Sequence, residues 1–192
     1  LRFSEYGAVI KPSITFHENL LENSLFNLAE IKSSFAQALS LEHIVHLSIN
    51  IINPHNEIMF LSSTPNTGIN VCGTDLWHYD SSITPEIFMN KDSYFWDDCY
   101  SKSAFLDLKK QKEIRNGISC GFIAVKRVND FVVMYSYGLD KDSPEFRNEL
   151  LSFKKYLLEI GDSCFKKIHG VYARAAGSNN ILEIRHIEGK TF

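Results

Sequence analysis

Between positions 45 and 51 the chain alternates with a period of two: Val45, Leu47, Ile49 and Ile51 are apolar, and His46, Ser48 and Asn50 between them are polar. Period-two alternation puts successive side chains on opposite faces of an extended chain, so this segment reads as a half-buried strand. The turn residues Asn53-Pro54-His55-Asn56 follow it, and a short apolar run at 58–61 resumes, which makes an antiparallel hairpin. A second hairpin is written at 118–125 and 131–137, on either side of Lys126-Arg127-Val128-Asn129-Asp130. Two hairpins well apart in sequence leave few ways to build a core.

The intervening segments are helical in pattern. Over residues 18–39, Leu21, Leu25, Leu28, Phe35 and Leu39 fall near one helix face. A second helix is expected at 101–115, stopped by Asn116-Gly117, with Lys109, Lys110, Lys112 and Arg115 as a solvated face. Ser143-Pro144-Glu145 opens a third, expected to run to position 168 with the stripe Phe146, Leu150, Phe153, Leu157, Ile160, Cys164 and Ile168. This order predicts an α+β fold, an antiparallel sheet flanked by helices in an α-β-α sandwich similar to PAS and GAF modules. Residues 62–98 are too long for a plain loop and too aromatic for disorder, so they read as a wall folded over the sheet, with a short helical turn at 85–89.

A chain of 192 residues that is 44% hydrophobic suits one sensor-like domain over 1–172, then a small, polar linker at 173–180 and a further segment at 181–192. The net charge of −3 argues against a surface that grips nucleic acid throughout. No run approaches the roughly 20 apolar residues of a membrane span, so a cytoplasmic protein is expected. Cys72, Cys99, Cys120 and Cys164 have no CxxC spacing and read as free, mostly buried thiols. Neither His43 with His46 nor His78 with Cys72 and Cys99 has a metal-ligand spacing. Cys120 reads as a small buried strand residue, and Asp97 and Asp98 as caps or solvated groups. No catalytic residue, cofactor or metal is expected.

Binding is the chemistry left. Trp77, Tyr79, Asp80 and Trp96 combine flat aromatic faces with a carboxylate, a set suited to a small organic ligand. Asp80 either accepts a hydrogen bond from a ligand or caps a turn in Tyr79-Asp80-Ser81-Ser82; Trp96 is either a pocket floor or a core anchor, and buried in both cases. Gly121 marks a close approach of backbone to a ligand or to a packed helix.

Asp80, Trp96, the run Asn116-Gly117-Ile118-Ser119-Cys120-Gly121-Phe122 and Ser136 stand in an order that resembles the autoinducer-binding domain of LuxR-type quorum-sensing transcription regulators, over about residues 20–168. The resemblance implies that Asp80 accepts the amide hydrogen bond of an acyl-homoserine lactone, that Trp96 packs on the lactone ring, and that Ser136 faces the ligand. The chain departs from the family pattern where Trp77-His78-Tyr79 abuts Asp80 and where Ser81 replaces a proline. Gly189-Lys190-Thr191 resembles the turn that opens the recognition region of the family's helix-turn-helix. The implied function is a sensor that homodimerises and acts on DNA through a helix-turn-helix beginning in 181–192. The alternative is an interaction protein that keeps the fold, binds no signal and heterodimerises with complete regulators.

Overall fold

The computed structural model describes residues 14–19, 25–177 and 181–183. The first hairpin joins β2 (Ile44–Ile52) to β3 (Glu57–Ser62), with Ile52 opposite Ile58. Its turn is held by one side chain: Asn53 Oδ1 accepts from the backbone N–H groups of His55 and Glu57, both at 2.9 Å. Asn56 completes it at φ 61°, a left-handed conformation that asparagine tolerates. The second hairpin joins β5 (Cys120–Val128) to β6 (Phe131–Leu139) through Asn129 and Asp130, with Asn129 at φ 53°.

β6 pairs with β2, so the two hairpins form one sheet with β2 and β6 at its centre. Two short strands extend it beyond the sequence expectation. β4 (Ser93–Phe95) pairs antiparallel with β5, and β1 (Thr15–Phe16) runs parallel to β3, giving a six-stranded, mixed sheet of order β1-β3-β2-β6-β5-β4. Two- and three-residue strands carry too little alternation to be read from a sequence.

One face of the sheet packs on α1 (Leu28–Leu39) and α6 (Lys154–Ala176). Ile31, Phe35 and Ala38 of α1 and Phe165, Ile168 and Val171 of α6 meet Leu47, Ile49, Phe122, Val133, Tyr135 and Tyr137 of the strands. This is the larger of two apolar cores. The opposite face is covered by residues 66–116: α2 (Asn66–Cys72), α3 (Pro85–Phe88), α4 (Phe105–Lys112) and several single 3-10 turns. Here Ile58, Ile123, Val132 and Met134 pack with Tyr94, Trp96, Cys99 and Leu108. The wall expected over the sheet is therefore present, built from short helical pieces, and the α+β sandwich holds.

Several local expectations are corrected. Val45 is 42% exposed, because the register shifts between Ile44 and His46 and the bulge turns its side chain out of the apolar row. Leu25 and Phe153 are exposed as well. Phe153 sits at a break that divides the expected single helix into α5 (Pro144–Ser152) and α6, which rotates it off the buried stripe. The N-terminal cap of α5 is as expected, with Ser143 Oγ accepting from the Phe146 N–H at 3.2 Å.

α6 continues to Ala176, four residues into the segment read as a linker. Beyond it, Leu182 is fully buried in the larger core; its N–H donates to Tyr172 Oη and its carbonyl lies 2.9 Å from His169 Nε2. Positions 184–192, where the helix-turn-helix resemblance falls, lie outside the described residues. Among the described residues, no helix is long and apolar enough to cross a membrane.

Candidate ligand-binding site

The polar row of β2 does not face solvent. His46 and Ser48 are buried and Asn50 is half-buried, because the wall closes over this face of the sheet. Between them and the wall lies a cavity of about 90 Å³. Its floor is formed by His46, Ser48, Asn50 and Ser136; its walls include Trp77, Asp80, Trp96 and Lys112; Phe16, Ile58, Phe60 and Val71 add apolar lining. Such a space is below the roughly 300–1,000 Å³ of typical ligand pockets, and it suits a polar group with a few carbons. Polar groups on the sheet side are partly engaged with each other, as where the Ser48 hydroxyl donates to the Asn50 amide oxygen at 2.8 Å.

Asp80 is fixed by its backbone and side chain together. It forms an isolated bridge with Tyr100, and the Ser101 N–H donates to the Tyr79 carbonyl at 2.9 Å, so two wall segments are clamped edge to edge at this point. The side chain is buried; Oδ1 accepts from the Ser82 N–H at 3.0 Å and caps the 3-10 turn Ser81–Ile83. Oδ2 accepts from Lys112 Nζ at 2.5 Å. The capping role read from Tyr79-Asp80-Ser81-Ser82 is realised while the carboxylate still lines the cavity.

Lys112 was expected in solvent. Its side chain is instead 11% exposed and reaches inward from the last turn of α4. The ammonium lies 4.7 Å from the ring centroid of Trp96 and 5.1 Å from that of Tyr100, positions in which the aromatic faces stabilise a desolvated cation. Lysine runs on short helices are normally solvated, and nothing local in the sequence distinguishes Lys112 from Lys109 or Lys110. The partnership becomes visible only when residues 80 and 112 meet in space.

Trp96 is buried, and its indole N–H donates to Ser136 Oγ at 2.9 Å. Gly121 lies directly beneath the indole and does not line the cavity, so the close approach at this glycine is that of Trp96. Trp77 lines the cavity and meets Phe16 edge-on, with ring centroids 5.5 Å apart. Tyr79 is 47% exposed and lies outside the lining. The structure thus brings together Trp77, Asp80, Trp96 and Ser136, and leaves Tyr79 and Gly121 at the margin.

His46 was not singled out by its sequence context. It is 1% exposed, sits edge-on to Trp96 with centroids 5.8 Å apart, and lines the cavity with Nδ1 buried and without a hydrogen-bond partner among the described residues. Burial, reinforced by the nearby Lys112 ammonium, pushes its pKa down to about 3, so the ring is neutral. A neutral imidazole can present Nδ1 as an acceptor.

Other reactive groups are quiet. Burial pushes the Cys72 and Cys99 thiols up to about 11 and Cys120 up to about 12, away from the thiolate a nucleophile needs. Asp97 is half-buried and paired with Arg147 at 2.7 Å, while Asp98 is exposed, so the two carboxylates do not form an acid pair.

No protein-family model matches the sequence. No curated protein matches it either. Among solved structures, Escherichia coli SdiA superposes with a TM-score of 0.55 at 13% identity, over 82% of this chain and 69% of that one. SdiA in complex with octanoyl-rac-glycerol gives 0.52 at 15% identity, over 83% and 66%. The N-acylhomoserine lactone dependent LuxR family transcription factor CepR2 from Burkholderia cenocepacia gives 0.48 at 10% identity, over 80% and 93%. The α+β architecture is the one these SdiA structures share with this chain.

Proposed function

We propose that this chain is a ligand-sensing domain of the LuxR type, which binds a small amphipathic molecule in the cavity between the sheet and the wall. The observation that carries the reading is the cavity itself, lined by both apolar and polar side chains and by a buried imidazole whose Nδ1 has no hydrogen-bond partner among the described residues. The SdiA fold, and the octanoyl-glycerol held by that protein, support an acyl chain with a compact head as the ligand class. The mechanism proposed is binding; burial raises the Cys72 and Cys120 thiols to about 11 and about 12, and Asp97 and Asp98 lie in different surroundings rather than as an acid pair. Occupancy stabilises the bound form by mass action and biases assembly of a cytoplasmic homodimer, with DNA contacted through a helix-turn-helix that begins in 181–192.

A second reading, a partner protein that binds no signal, is favoured by the small cavity and by the Lys112 ammonium against Asp80 and Trp96. Thermal unfolding of the purified chain with octanoyl-glycerol and with acyl-homoserine lactones of graded length separates the two. The sensor is expected to melt later in a concentration-dependent way; an unmoved midpoint across the whole panel selects the partner protein.

A further inference from the structure

Resting on the sensing reading, we infer that Lys112 and His46 set the class of ligand: a neutral molecule whose polar end carries a hydrogen-bond acceptor for Lys112 beside a hydroxyl donor for His46. The carboxylate acceptors of Asp80 are both engaged, Oδ1 by the Ser82 N–H and Oδ2 by Lys112. The indole N–H of Trp96 is engaged by Ser136, and one face of the indole by the ammonium. A ligand amide N–H would share a carboxylate already held by the Ser82 N–H and the Lys112 ammonium, and so would compete with a buried cation for it.

What the cavity offers instead is complementary in sign. Lys112 lines it with a group that has three N–H donors and no acceptor. His46 lines it with a neutral ring whose Nδ1 is buried and unpartnered. A carbonyl or ester oxygen satisfies the first and an adjacent hydroxyl the second. An anionic head is disfavoured, because the Asp80 carboxylate stands 2.5 Å from the ammonium that would attract it, and the pair is close to neutral as a whole. Lys112 therefore adds donors beside the Asp80 carboxylate, and the buried His46 Nδ1 is an acceptor that a ligand hydroxyl can satisfy.

The test uses the whole 192-residue chain and four probes, each as the butanoyl and the octanoyl compound: the 1-acylglycerol, the methyl ester, the free carboxylate and the N-acyl-homoserine lactone. Titration calorimetry is expected to rank the acylglycerol first, about tenfold tighter than the methyl ester, the difference one buried hydrogen bond makes. In His46→Phe that ratio falls to near one while the ester still binds. In Lys112→Met the lactone gains on the acylglycerol by about tenfold or more; should this variant fail to fold, Lys112→Met with Asp80→Asn carries the same measurement, since the Asn carbonyl still accepts an amide hydrogen.

Three results overturn the inference and leave sensing intact: a wild-type chain that prefers the lactone, a hydroxyl that adds nothing because water fills the space beside His46, or a ranking unchanged in the variants. Binding of no probe by wild type or any variant overturns the sensing reading itself.

Discussion

Gly121 lies against the face of Trp96 so closely that a β-carbon on it would stand 1.8 Å from Cδ2 of the indole. The contact is fixed from both sides, since the Trp96 N–H also donates to the Gly121 carbonyl at 2.9 Å. Gly121→Ala is expected to destabilise the chain by about 1–3 kcal/mol or more, the cost of overpacking a core that has no room to yield. A lower urea midpoint, with a changed near-ultraviolet signal from Trp96, checks it.

Trp96 and Ser136 are coupled by a buried hydrogen bond of 2.9 Å. Ser136→Ala leaves the indole N–H without that acceptor and is expected to cost about 1–3 kcal/mol. Combining it with Trp96→Phe removes the stranded donor, so the double variant should lose less than the two single losses added together. Denaturant unfolding of the four proteins of this cycle gives the coupling directly.

Lys112 and Asp80 form an ion pair with side chains only 11% and 7% exposed. Lys112→Met is expected to cost about 3–5 kcal/mol, because it strands a buried carboxylate. Neutralising both partners in Lys112→Met with Asp80→Asn should recover a large part of that loss. Little dependence on salt is expected, since buried pairs are weakly screened.

His46 gives the fold a pH dependence with a definite sign. In the folded chain burial, aided by Lys112, lowers its pKa from 6.5 to about 3, so between these values the unfolded chain binds a proton that the folded chain does not. Stability contributed by the neutral ring is therefore present above pH 6.5 and lost as pH falls through that window. The slope approaches about 1.4 kcal/mol per pH unit at its steepest. Unfolding free energies at pH 7, 6 and 5, compared between wild type and His46→Phe, should diverge in slope, with the variant flatter.

The parts of this molecule written in local pattern were legible in its sequence. Alternation gave the two hairpins, the Ser143-Pro144 cap gave the start of α5, and the aromatic density of 62–98 gave the wall. Asp80 and Trp96 could be singled out because they stand in an aromatic and acidic cluster and in the order of the LuxR-type resemblance. Lys112 and His46 could not. A lysine in a lysine run and a histidine on the polar side of a strand each have a solvated reading, and only the closure of the wall over β2, which depends on contacts between distant segments, removes it. Val45 failed for a related reason: a bulge shifts register by one residue, and no composition signal announces it.

The sheet is covered unequally on its two sides. α6 is 23 residues long and locks one face, whereas the longest helix of the wall, α4, has 8 residues, α2 has 7, and the other pieces are shorter still. Short pieces of this kind are expected to open on their own at a lower free energy than a long packed helix, so the wall should open locally before the sheet and α6 do. Capture of a molecule in the cavity would then register as slowed amide hydrogen exchange across residues 66–116 with α6 unchanged. On the sensing reading, detection would be the completion of local folding in one layer, against a second layer that serves as a fixed reference.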